Sequence, residues 1–175
     1  MSKLDMGLIP TEEQCLKLLE KYKTPEKSIE HAKVVTELVK KLVTKVSVKR
    51  KIAIAGAMLI DIGKTQTQGL KHGFIGGRIL RKEIIDESVI SIVEKHIGVG
   101  ITKIEATRAG LPPRDFVPET MEEKLVSYAD KLVIGTYVAT PKEAKIEFAS
   151  HFPPDHSALK RWDAFMSEMR NILGE

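Results

Sequence analysis

The longest apolar run in the chain, Ile52 to Ile60, holds nine residues and ends on an acid, Asp61. At about half of the ~18 residues that suggest a membrane span, such a run forms a helix in the core of a globular domain. A carboxylate at its end costs several kcal/mol, roughly, to take out of water unless something charged or hydrogen-bonding meets it. Asp61 therefore needs a partner from elsewhere in the chain.

Three other polar residues repeat the pattern of a metal-capable group on an apolar helical face. His31 heads the row Val35, Leu38, Val39, Leu42; His96 ends the row Val89, Ile92, Val93; Asp130 lies between Val126 and Val133. Spacings of three, four and seven put each on the buried side of its helix. With Asp61, and with His72 just ahead of another helix, these groups read as one buried metal site. Taken singly, each has a plainer role as a hydrogen-bonded core residue, a cap or an ion-pair partner.

A chain of 175 residues has the size of one ordinary domain, and 42% apolar with 30% charged residues is a globular mix. The N-terminus, Met1 to Pro10, carries Asp5 and no sustained apolar segment, so no secretory signal is expected. The single cysteine, Cys15, offers neither an intrachain disulfide nor a thiolate cluster, which fits the cytoplasm. The net charge of +4 comes with interleaved Lys and Glu, and the dense basic patch, Lys40 to Lys51, reads as a solvated helix end. Aromatic residues make up 5%, with no pattern for stacking on bases, so nucleic acid is not the expected partner. A weak positive field still draws small phosphate-bearing molecules.

Helix signals punctuate the whole chain. Thr11-Glu12-Glu13-Gln14, Thr120-Met121-Glu122-Glu123 and Thr140-Pro141-Lys142-Glu143 are capping boxes, and Pro25 opens the helix that carries His31. Gly63 breaks the central helix; Gly98 and Gly100 cut the one that ends at His96. The stretch from Ile101 to Pro118, with Gly110, Pro112 and Pro113, reads as loop or short helix, long enough for a rim or lid. No stretch alternates as a half-buried strand does, and no repeat is present. The expected fold is all-α: a single domain over 1–175 of about seven helices, with a core at 24–134, an N-terminal helix at 11–23 and C-terminal helices at 140–173.

The order His31, then Ile60-Asp61-Ile62-Gly63-Lys64, then His72-Gly73, then His96-Ile97-Gly98, then Tyr128-Ala129-Asp130-Lys131 resembles the HD superfamily of metal-dependent phosphohydrolases. More narrowly it resembles the archaeal and bacterial HDIG-type proteins. The resemblance implies an HD-type helical bundle and one or two divalent ions of manganese, iron, nickel, zinc or magnesium. It also implies a small phosphorylated substrate, a nucleotide above all. By position, His31, Asp61 and Asp130 match ligands of the family's first ion, while Asp61, His72 and His96 stand where those of a second ion would be. The histidine of the family's His-Asp pair is replaced by Ile60, which has no lone pair to donate and fills the imidazole's space.

In the members with two ions, the pair shares a water, lowers its pKa and clamps a phosphate for in-line attack. Asp61 and Lys64 are then the candidate catalytic residues, Lys64 holding a phosphate oxygen as a point charge. Arg108 and Arg114, in the proline-rich stretch, are further candidates for contact with substrate, and both also read as surface charges. His151 and His156 lie outside the motif and read as structural. Beside the phosphohydrolase stand two other readings: an HD scaffold that binds phosphate or metal without turnover, and an interaction module with a residual site. A homodimer is compatible with all three. Five buried polar groups favour a working metal site over a residual one, because each destabilises the fold unless satisfied.

Overall fold

Helix α3, Arg50–Leu59, is the apolar run, and it is buried on every side except at its basic first turn and Ile54. Its small residues set how closely its neighbours lie: a Cβ on Gly56 would come within 2.7 Å of the Ile92 side chain. Around it pack α1 (Glu12–Lys21), α2 (Glu26–Leu42), α5 (Glu87–Lys95) and α7 (Met121–Lys131). Helix α4 (His72–Lys82) lies against α5. One apolar cluster centred on α3 draws residues from α1, α2, α4, α5 and α7 and from the C-terminal stretch as far as Leu173. Cys15 is part of it, and burial pushes its thiol up to about 12.

The computed structural model describes residues 6–175, so Asp5, on which the reading of the N-terminus drew, lies outside the described residues. Among them are nine α-helices, where about seven were expected; the others are α6 (Lys103–Arg108), α8 (Pro141–Ala149) and α9 (Ser157–Leu173). The three predicted capping boxes all form. A fourth, Thr102 with Glu105, starts α6 inside the stretch read as loop or short helix. That stretch folds back on itself through an Ile101–Phe116 bridge and buries Ile101, Ala106, Leu111 and Phe116 in a second small core. It is therefore a packed rim.

A hairpin with two-residue strands, β1 (Val133–Ile134) and β2 (Tyr137–Val138), departs from the all-α expectation. Its strands are too short to show a period of two. The turn between them uses Gly135 at φ +58°. No helix among the described residues is long and apolar enough to cross a membrane.

Candidate metal centre

The five candidate ligands come from five parts of the chain and line one cavity of about 120 Å³, with Lys64, Ile97, Gly98 and Lys131 completing its wall. Asp61 stands where α3 gives way to a 3₁₀ turn, Ile62–Thr65, and is 3% exposed. His72 is the first residue of α4, whose backbone lies directly on that turn. A Cβ on Gly63 would fall 1.8 Å from the His72 carbonyl oxygen, so only glycine permits this approach. His96 caps the C-terminal end of α5 and is buried; His31 lies in α2, and Asp130 in the last turn of α7.

All three imidazoles are oriented in the same way. The Nδ1–H of His31 donates to the Gly135 carbonyl at 2.6 Å, that of His72 to Gly69 at 2.5 Å, and that of His96 to Val93 at 2.6 Å. A carbonyl only accepts, so each Nδ1 carries the hydrogen and each Nε2 is left as the atom facing the cavity. Backbone bonds of this kind orient histidines that ligate metals.

What the Nε2 atoms face divides the site in two. Those of His72 and His96 lie 3.0 Å apart, and Asp61 Oδ1 is 3.3 Å from the first and 3.8 Å from the second. Ligands about 2.1 Å from a common ion stand about 3.0 to 3.4 Å apart at octahedral to tetrahedral angles, close to this spacing. Burial pushes the Asp61 carboxyl up, but the bonds from His72 and His96 outweigh it and hold the group well below the ordinary carboxylate value. Lys64 lies 3.1 Å from its other oxygen. Three ligand atoms this close form a set that could hold a metal ion. A proton bridges two of them, whereas a metal ion meets all three.

On the other side, His31 Nε2 is 2.8 Å from Asp130 Oδ1, and Lys131 bonds the second Asp130 oxygen while donating to the His96 carbonyl at 2.8 Å. Burial lowers the affinity of His31 for a proton, but the bond to Asp130 outweighs it and the net shift is upward. Burial likewise raises Asp130, and the charge of Lys131 with the bond from His31 brings it far below the ordinary value. His31 and Asp130 thus lie as a close hydrogen-bonded pair. Among the described residues, the mutually close set that could hold a metal is Asp61, His72 and His96, without these two.

Ile60 is fully buried in the core cluster. Of the arginines, Arg108 lines a larger cavity beside the site, whereas Arg114 lies elsewhere. Its guanidinium donates to buried Glu94 at 2.9 Å and covers the Phe116 ring at 4.0 Å. Lys131, which the sequence offers only as the last residue of Tyr128-Ala129-Asp130-Lys131, lines the cavity, and its position next to Asp130 is the signal that points to it. His156, read as structural, caps α9 and also faces the larger cavity.

A tRNA (cytidine(56)-2'-O)-methyltransferase of Thermoplasma volcanium is 49% identical over 128 residues, covering 73% of this chain and 38% of that protein. Its counterpart in Picrophilus torridus is 42% identical over 166 residues, 95% of this chain and 48% of the relative. The chain thus spans less than half the length of these two relatives. An uncharacterized protein of Methanocaldococcus jannaschii is 42% identical over 118 residues, 67% of this chain and 70% of the relative. Among solved structures, the HD domain of the phosphodiesterase PgpH of L. monocytogenes superposes with a TM-score of 0.54 at 17% identity, covering 89% of this chain and 98% of that one. Its complex with cyclic-di-AMP gives 0.56 at 16% identity, covering 91% and 98%. At such identities the likeness is one of fold. The HD domain family itself matches residues 28–134, the stretch that holds His31, Asp61, His72, His96 and Asp130. More than half of the chain lies within that match, and the chain belongs to the HD domain family.

Proposed function

We propose that the protein is a divalent-metal-dependent phosphohydrolase acting on a small phosphate ester, with Asp61, His72 and His96 holding the ion. The observation that carries this reading is the spacing of Asp61 Oδ1 and two Nε2 atoms, 3.0 to 3.8 Å, on imidazoles whose Nδ1 atoms are already committed to backbone carbonyls. Two nitrogens and one carboxylate suit manganese, iron, nickel or zinc better than magnesium, which prefers oxygen. Bound there, a divalent ion supplies a Lewis acid for a phosphoryl oxygen and lowers the pKa of water it holds.

The chain's own groups would do the rest. Asp61 positions the imidazoles and carries the negative charge that retains a cation. Lys64, with its side chain 28% exposed, has the freedom to move its ammonium from Asp61 to a phosphate oxygen. Lys131 adds a second positive charge to the cavity wall, and together the two ammoniums favour a phosphate dianion there. In the same reading, residues 24–134 carry the site, while α1, α8 and α9 belong to the same domain and the protein works in the cytoplasm.

Purified protein is expected to carry about one divalent ion per chain and to release phosphate from at least one ester; Asp61→Ala should do neither. A chain that holds no metal by elemental analysis, and takes up none from manganese, nickel or iron, would overturn the reading. The relatives named as tRNA methyltransferases bring RNA into the substrate panel, since a terminal phosphate on RNA is an ester of the same class.

Binding without turnover is the second reading, and one observation favours it. Ile60 and the closed His31–Asp130–Lys131 arrangement leave no open set of ligands for a second ion. Metal-loaded protein that binds inorganic phosphate but releases none from any ester would select it.

A further inference from the structure

The larger cavity, of about 390 Å³, has a wall of its own: of the residues that line the metal centre it shares only Ile97 and Gly98. Arg108, which the metal centre leaves unused, borders it. At about 30 Å³ for each water-sized unit, the space takes roughly a dozen heavy atoms. Its lining is mostly apolar, with Leu70, Val99, Ile101 and Ala158 beside Phe148 and Phe152. The two phenylalanine rings are already packed on other rings. Phe148 stacks on Trp162 at 4.4 Å and lies 4.9 Å from Phe152, which stacks on His156 at 4.8 Å. What they add to the cavity is therefore a hydrocarbon wall.

The charges at its edge do not balance. Glu105 accepts from Arg161 at 2.7 Å, and these two cancel. Arg161 gives a second nitrogen to Ser157 at 3.2 Å, and its buried Nε has no partner among the described residues. Arg108 borders the cavity with no ion pair among the described residues. The Lys71 ammonium lies close by, since a Cβ on Gly110, two residues past Arg108, would stand 3.6 Å from it. One carboxylate thus faces three cations.

From an apolar interior with cations left over at its edge, we infer that this cavity binds a small amphipathic acid, one carboxylate on an apolar body of about ten carbons, with Arg108 recognising the head. The guanidinium meets a carboxylate with two parallel donors, and the apolar body displaces water from the wall. A neutral apolar ligand leaves the cations without an acceptor, and a polar body carries groups into a space that cannot bond them. The inference does not depend on the reading of the metal centre.

Trp162, the single tryptophan, reports on this wall through its contact with Phe148. The full chain is titrated with hexanoate, octanoate, decanoate and tetradecanoate below their aggregation limits, and with decanol, following heat and tryptophan emission. Decanoate is expected to bind at sub-millimolar concentration and change the emission. Each methylene from hexanoate to decanoate should tighten binding about three- to fourfold, with no further gain at tetradecanoate, whose end has no wall to meet. Decanol should bind about tenfold more weakly than decanoate. Arg108→Glu, at an exposed position, should bring decanoate down to that level and leave decanol within about twofold. Manganese should change decanoate affinity by less than about twofold, since the two sites are separate. No binding at millimolar decanoate, equal binding of decanoate by Arg108→Glu, or affinity that keeps climbing to tetradecanoate overturns the inference. So does a gain of about tenfold with manganese, which would put the carboxylate on the ion.

Discussion

The two halves of the site are built from the same parts, imidazole and carboxylate, and they end in opposite states. His31 and Asp130 meet in a hydrogen bond of 2.8 Å, with Lys131 closing the other carboxylate oxygen. His72, His96 and Asp61 bring two Nε2 atoms and one carboxylate oxygen within 3.8 Å of one another, with Lys64 reaching only the outer oxygen of Asp61. The difference traces to how many cations each half already has. Where an imidazole and an ammonium both meet one carboxylate, each of its oxygens already has a partner. Where the chain supplies one lysine for a buried carboxylate and two imidazoles, the proposed divalent ion would complete the set. The resemblance to the HD family implies an imidazole at position 60 as a further ligand beside His31 and Asp130; here Ile60 is buried in the apolar cluster instead.

The sharpest way to break this comparison is to remove one histidine from each half. His96→Ala takes away one of three ligands and should weaken manganese binding by more than the 10- to 100-fold typical of losing a mere supporting partner, roughly 10²- to 10³-fold. His31→Ala should change it by less than about threefold, while lowering stability by about 2 kcal/mol through the lost charged hydrogen bond. Isothermal titration with manganese and urea unfolding measure both. Equal loss of metal in the two variants would mean that one ion spans both halves.

This division was only partly legible in the sequence. Helical spacing placed His31, His96 and Asp130 on buried faces, because a period of 3.6 reads directly from apolar neighbours. The same spacing says nothing of how far one helix is shifted along its neighbour, and so does not tell that Asp130 falls outside the mutually close set of Asp61, His72 and His96. Gly63 was legible as a helix breaker; its closer task, admitting the His72 backbone to contact, belongs to the packing of α4 on the 3₁₀ turn. The Gly135 carbonyl that orients His31 sits in a hairpin four paired residues long, too short for any alternation to show. The capping box at Thr102 was hidden among glycines and prolines that usually mark loops. His156 looked structural because its role as a cap is local, whereas its place on the cavity wall depends on α9 folding back toward Gly98.

Restoring the missing ligand probes the comparison from the other side. Ile60→His puts an imidazole into a fully buried apolar place. Without metal, it should lower stability by about 2 kcal/mol, from lost apolar burial and a polar group short of partners. With manganese, the new imidazole joins Asp61 on the side of His31 and Asp130, and most of that loss should return as a second ion binds. Thermal unfolding with and without manganese, beside metal content, reads the outcome. A depression that manganese does not relieve, with content still near one ion, would show that this half stays closed whatever stands at position 60.

The smallest effect concerns what holds the halves in register. Glu123, near the start of α7, accepts from Ser91 Oγ at 2.6 Å and Lys95 Nζ at 3.2 Å, both on α5, and from the backbone of Glu119 and Thr120. It therefore ties the helix that carries Asp130 to the helix that ends at His96. Burial raises its carboxyl, but the bonds from Ser91 and the backbone outweigh this and leave it lowered. A carboxyl lowered on folding contributes stability above its unfolded value of about 4.3, and that contribution fades as pH falls through the folded value. Glu123→Gln should thus be less stable than the parent by about 1 kcal/mol at pH 7, with the gap closing as pH drops below about 4. Urea midpoints across pH 3 to 7 test this. Because neither the Asp61 cluster nor the His31–Asp130 pair loses a member, manganese affinity at pH 7 should stay within about twofold of the parent. A larger loss would show that the ion depends on the alignment of α5 with α7, and that the two halves are one mechanical unit despite their different chemistry.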